Sequence, residues 1–134
     1  MRSDLVRLLQ ESPPFREVHS GLVEGRSVQV EGLWGSSMAL LVAALGVLEQ
    51  RIILCVLPQM EQAEQFAEDL ATLSPGLATF FPAWETLDQE EMPDVDILSQ
   101  RLLLLRQIFD ERHNRRRRVV VAPVQAVLQQ ALTP

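Results

Sequence analysis

Ile52–Leu57 reads IILCVL, an apolar run without polar alternation. A run this short and this uniformly apolar is the mark of a strand covered on both faces, the usual condition of a parallel sheet. Parallel neighbours need a crossover connection, most often a helix. The chain supplies such segments on either side. Pro58 opens a helical stretch in which Met60, Ala63, Phe66, Ala67 and Leu70 recur at helical spacing, and Ser74-Pro75-Gly76 ends it. Leu77–Phe81 reads as a short strand stopped by Pro82. Asp94 can cap a long helix reaching about Arg112, with a core stripe of Leu98, Leu102, Leu105 and Phe109 flanked by Ile97, Leu104 and Ile108. Val119–Ala122 is another apolar strand, and Pro123 suits the first turn of a closing helix over 124–132.

Toward the N-terminus, Ser3 or Asp4 can cap a short amphipathic helix that Ser12-Pro13-Pro14 stops, and Phe15–Ser20 can form a second. Ser27–Glu31 (SVQVE) alternates and is valine-rich, which predicts a strand. Ser36–Gln50 is a helix apolar nearly all round, hence buried on most sides. Strands alternating with helices predict an α/β fold: a three-layer parallel sheet with helices on both faces and right-handed crossovers. Residues 1–26 form a helical lead-in and 27–134 the α/β domain.

Between the predicted strand at 27–31 and its helix lies Gly32-Leu-Trp-Gly-Ser-Ser-Met-Ala39. Strand, glycine turn, helix is the context of the phosphate loop G-x-x-x-x-G-K-[ST]. On that template Gly32 keeps the first glycine, Ser37 stands at the second, Met38 replaces the lysine and Ala39 the magnesium-binding hydroxyl. A thioether cannot neutralise a triphosphate, and a methyl group cannot ligate a hard cation. No lysine exists to substitute, since all 12 basic residues are arginine. Backbone N–H groups of Gly35, Ser36 and Ser37 could still attract an anion weakly. Trp34 and Met38 are expected to fill the space a nucleotide would use. The chain therefore reads as a P-loop NTPase-like fold (of the RecA/helicase type) with a degenerate nucleotide loop, binding no cofactor.

Other chemistry is sparse. Cys55 sits inside an apolar run and reads as a buried, inert thiol. His19 and His113 have no Cys or His at ligand spacing, which argues against zinc. Glu85, Asp88, Glu90, Glu91, Asp94 and Asp96 lack the spacing of a calcium loop and have no neighbouring nucleophile. They read as a solvated loop with helix-capping carboxylates, and Phe80 and Phe81 as core and loop anchors. Trp84 beside them could anchor the loop or mark a partner surface. Arg115–Arg118 is the basic cluster of the chain; it could touch nucleic acid or an acidic patch on a partner protein, or simply connect a helix to a strand. A net charge of −6 argues against a protein that coats nucleic acid. The N-terminus lacks the pattern of a signal peptide. The longest apolar run, Met38–Leu45, falls far short of the roughly 20 residues of a membrane span, so a cytoplasmic location is expected.

Four segments together resemble a family: GLWGSSMALLVAAL (32–45), VLPQMEQAEQFAEDL (56–70), FFPAWETLDQEEMPDVDILSQRLLLLRQI (80–108) and VVVAPVQAVLQQ (119–130). Their order is similar to the N-terminal, UvrB-like domain of the bacterial transcription-repair coupling factors, the Mfd family. The most specific stretch is Phe81-Pro82-x-Trp84-Glu85-Thr86-Leu87, followed by Asp96-Ile97 and Arg101-Leu102, then Val121-Ala122-Pro123-Val124 with Leu128-Gln129. UvrB keeps a lysine in its nucleotide loop, whereas the coupling factors' N-terminal module has lost it, as has this chain at Ser37, Met38 and Ala39.

The resemblance implies a non-catalytic scaffold acting in transcription-coupled nucleotide excision repair. The family's full-length protein is an ATP-dependent DNA translocase that displaces stalled RNA polymerase and recruits UvrA. Its motor domains, its polymerase-binding domain and the inserted domain that carries the main UvrA contact have no counterpart in these residues. An incomplete sheet, as in a fragment, with an open edge inviting self-association, is the corresponding expectation. Two other readings stand beside this one: a divergent nucleotide hydrolase using arginine in place of lysine, and a nucleic-acid-binding module built on Arg115–Arg118.

Overall fold

The computed structural model describes residues 2–49, 51–84, 94–114 and 118–129. The order is α1 (Arg2–Glu11), α2 (Pro13–Val23), α3 (Ser37–Leu48), β1 (Ile52–Leu57), α4 (Met60–Leu73), β2 (Ala78–Phe80), α5 (Val95–Asn114), β3 (Arg118–Pro123) and α6 (Val124–Leu128). The three strands form one parallel sheet in the order β1-β3-β2. Leu54 lies opposite Val120 on one side of β3, and Thr79 opposite the same residue on the other. The fold is α/β, as the alternation predicts.

Side chains on successive strand positions point to opposite faces, so β3 feeds two cores. Val119 and Val121 join Ala39, Ala43, Ala44, Leu45, Ala63, Phe66 and Leu70 under α3 and α4, with Val6 and Phe15 of the N-terminal helices in the same cluster. Val120 and Ala122 meet Leu104 of α5 and Ala126 of α6 on the other face. Gly46 lets α3 press onto the sheet: a Cβ there would sit 3.0 Å from both Leu77 and Val119 side chains.

Ser12-Pro13-Pro14 ends one helix and starts the next. The Ser12 hydroxyl accepts the Phe15 N–H, and proline occupies the first turn of α2, where its missing N–H costs nothing. Asp94 caps α5 as its position suggests, its carbonyl accepting the Leu98 N–H and its carboxylate the Asp96 N–H.

Several expectations fail. Ser27–Glu31 is extended but joins no sheet, and Val28 and Val30 are exposed. Valine alternation gives a strand only where a neighbour offers a ladder, and among the described residues none does. The Val28 side chain instead packs against α2, where a Cβ on Gly21 would lie 2.8 Å from its Cγ2. Ile52–Leu57 is not covered on both faces: Leu54 is 55% and Val56 46% exposed. The buried stripe of α5 is also rotated from the expected one. Leu102 and Phe109 are exposed, whereas Arg101 and Leu104 are buried with Ile97 and Ile108 beside them. The helix turns an arginine inward, toward two aromatic rings and a set of backbone carbonyls.

Candidate functional site

Gly32 and Gly35 both adopt left-handed backbone, at φ 79° and 53°, the conformation glycine tolerates without strain. The turn they make is closed on itself. The Ser37 hydroxyl accepts the Trp34 N–H at 2.8 Å and donates to the Trp34 carbonyl, which also takes the Ser37 N–H at 3.1 Å. A phosphate loop needs its N–H groups directed at an anion; here the Trp34 N–H is consumed by the first side chain of the helix that follows. Ala39 is buried in the core. No arginine occurs between Arg26 and Arg51, and Arg26 is paired with Glu24 at 2.8 Å. Ser36 caps α3 without a side-chain hydrogen bond.

Two expectations about this turn are overturned. Trp34 and Met38 do not fill a nucleotide's space: Trp34 is 85% and Met38 44% exposed. Nor does the turn sit at the carboxyl end of a sheet strand, because 27–31 lies outside the sheet. The place where open α/β sheets bind ligands is therefore not where Gly32–Ala39 lies.

The best-built constellation centres on Arg101, the buried charged residue of the core at 2% exposure. Its guanidinium carbon lies 4.3 Å from the centre of the Phe81 ring and 4.5 Å from that of Trp84. Its two terminal nitrogens donate to the carbonyls of Pro82 (2.8 Å), Ala126 (3.2 Å from each nitrogen) and Gln129 (3.4 Å). Gln129 in turn holds the Trp84 peptide through its side-chain amide. A desolvated cation over an aromatic face contributes up to about 2 kcal/mol, and the planar fork serves three carbonyls at once. Burial lowers the Arg101 pKa from its usual value, and an arginine so placed keeps its charge at neutral pH.

Arg101 thereby ties the exit of β2, α5 and α6 into one knot. It offers no free donor pair to a ligand oxyanion, and among the described residues no carboxylate or nucleophile stands beside it. The arrangement holds three parts of the fold together. Trp84 is half-buried within it, an anchor first and a surface second. The predicted core stripe of α5 omitted Arg101. Its signal was present: a cation spaced four after Ile97, three before Leu104 and seven before Ile108 on one helix face.

Arg118 begins β3 half-buried, and its guanidinium donates to the Thr79 hydroxyl. Arg115, Arg116 and Arg117 lie outside the described residues, as do Glu85, Asp88, Glu90 and Glu91. Among the described residues no group of three or more His, Cys, Asp or Glu could hold a metal ion. No helix of the described chain is long and apolar enough to cross a membrane. Between α5, α6 and β1 lies an open apolar groove of about 250 Å³, lined by Leu54, Leu105, Ile108, Val120 and Val127 among others.

Comparison with known proteins gives no match to a family model, to a curated protein or to a solved structure.

Proposed function

We propose that this chain is a non-catalytic, cytoplasmic scaffold module of the kind found at the N-terminus of transcription-repair coupling factors, with a P-loop-like ancestry and no nucleotide chemistry of its own. The observation that carries the reading is the glycine turn. Its N–H at Trp34 is taken by Ser37, its lysine position is Met38 and its metal-ligand position is the buried Ala39. A turn of that composition has neither the charge nor the oxygen a magnesium triphosphate requires.

The family part of the proposal draws support from Arg101. The stretches that carry the resemblance, Phe81-Pro82-x-Trp84, Arg101 itself and the segment ending at Gln129, are far apart in sequence and meet around one guanidinium. A shared packing requirement gives a physical reason for them to occur together. In this reading the partners are proteins, UvrA and RNA polymerase, engaged on DNA as part of an ATP-driven translocase whose motor lies in other domains.

The test has two arms on the purified chain. Titration calorimetry with magnesium-ATP is expected to give no binding heat; micromolar binding with turnover overturns the non-catalytic reading in favour of a divergent hydrolase. The second arm is DNA binding, expected to be absent because the resemblance places the polymerase contact and the main UvrA contact in other domains; salt-sensitive DNA binding lost on changing Arg115–Arg118 to serine would replace the scaffold reading with a nucleic-acid role.

A further inference from the structure

We propose that two copies of this chain join along β1, antiparallel and across a twofold axis, merging their three-stranded sheets into one of six strands. The direction of the peptide groups exposes the edge. The Val119 N–H donates to the Leu77 carbonyl and the Phe81 N–H to the Val121 carbonyl, so Val119 and Val121 serve β2. The alternate residues Val120 and Ala122 then serve β1. With Leu54 opposite Val120, the groups of Ile53 and Cys55 turn inward to β3. Those of Ile52, Leu54 and Val56 point away from the sheet, and among the described residues no segment pairs with them.

Edge strands are normally blunted by a charge, a proline, a bulge or a short length. β1 has six residues and none of these devices. Its exposed side chains, Leu54 and Val56, belong to the residues whose peptide groups point outward, and both lie on one face of the sheet. In an antiparallel pair related by a perpendicular twofold, even positions face even positions. Leu54 and Val56 of one copy then cover Leu54 and Val56 of the other.

Charge selects the second copy and the antiparallel sense. Exposed Arg51 stands at the start of β1, and exposed Glu61 just past its end in the first turn of α4. Neither has an ion-pair partner among the described residues. Antiparallel pairing sets start against end, so each Arg51 approaches the Glu61 of the other copy, twice over. Parallel pairing would oppose like charges. A six-residue edge buries less than the roughly 800 Å² per partner of a standard stable interface, so the dimer is weak and concentration-dependent. The proposal does not depend on the repair reading.

Sedimentation velocity of the whole chain between about 5 and 500 µM tests it, since dimerisation follows mass action. The mass is expected to rise from 15.1 kDa toward twice that value. Arg51→Glu and Glu61→Arg should each weaken association by about fivefold, and the double swap should restore it to within about twofold. Leu54→Lys should leave a monomer; should that variant misfold by circular dichroism, the charge swap decides alone. A monomer across the whole range overturns the proposal. So does association that Leu54→Lys leaves intact in a folded protein, or single charge variants without effect, or a double swap that fails to restore.

Discussion

Gln129 holds Trp84 by both of its peptide groups. Its Oε1 accepts the Trp84 N–H at 3.0 Å and its Nε2 donates to the Trp84 carbonyl at 2.6 Å, across 45 positions of chain. A side-chain amide here does what a neighbouring strand would do, pairing a stretch of backbone that has left the sheet. Gln129→Ala leaves a part-buried N–H and carbonyl without partners, an expected loss of about 1–3 kcal/mol. Urea denaturation reads it as a lower midpoint at unchanged slope. An unmoved midpoint would mean water replaces the amide at no cost.

Arg101 is expected to be the least replaceable charge in the chain. Arg101→Lys keeps the charge and three donors, but its single tetrahedral nitrogen lacks the planar fork that reaches carbonyls around two nitrogens and stacks on the rings of Phe81 and Trp84, and should cost about 2–4 kcal/mol. Arg101→Met fills similar volume but strands the carbonyls of Pro82, Ala126 and Gln129 and should cost at least as much. Thermal melts of both variants check this. A lysine variant as stable as the parent would show that charge alone, not the planar fork, holds the knot.

Burial pushes the Cys55 thiol up from 9.0 to about 11. The thiolate is the reactive form, so alkylation by iodoacetamide at pH 8 should run about a hundredfold slower in the folded chain than in urea. The sign for stability follows from proton binding. Above pH 9 the unfolded chain loses this proton and the folded chain keeps it. Folding therefore weakens as the pH rises from 9 to about 11, by about 1 kcal/mol per pH unit at the steepest. Cys55→Ala should flatten that part of the pH–stability curve, and a curve as steep as the parent's would assign it to another group.

Gly46 is where α3 touches the sheet. A methyl group there meets Leu77 and Val119 at 3.0 Å. Gly46→Ala gains helix propensity of about 1 kcal/mol yet must displace two packed side chains, a strain of about 1–3 kcal/mol. Gly46→Val enlarges the clash with a smaller propensity gain. The valine variant should melt well below the alanine variant, and near-equal melting temperatures would mean the helix lifts freely.

Restoring the lost phosphate-loop residues should not restore nucleotide binding. Ser37→Gly with Met38→Lys and Ala39→Thr frees the Trp34 N–H and returns charge and hydroxyl, but the residues before the turn remain outside the sheet. A phosphate cradle needs its N–H groups fixed in advance. Calorimetry with millimolar magnesium-ATP is the check, and measurable binding would show that composition alone had silenced the turn.

The α/β class, the helices and three of four expected strands were legible because each rests on a local pattern: apolar runs, helical spacing, a serine before two prolines, an aspartate before α5. The changes in the glycine loop were legible too, since charge and ligand type belong to residues. The knot at Arg101 was not. Its participants were readable as segments, but that an arginine rather than a leucine turns inward depends on which carbonyls and rings await it, and those come from chain 17 to 28 positions away.

Local order, then, was written into the sequence: where helices start and stop, and which turn lacks the groups to hold a phosphate. Tertiary structure decided the rest. Ser27–Glu31 has the residues of a strand yet is none, because a strand exists only by the hydrogen bonds a neighbour supplies. Ile52–Leu57 has the residues of a fully covered strand yet bares Leu54 and Val56, because covering a face takes a second element, and a residue's own apolarity cannot provide one.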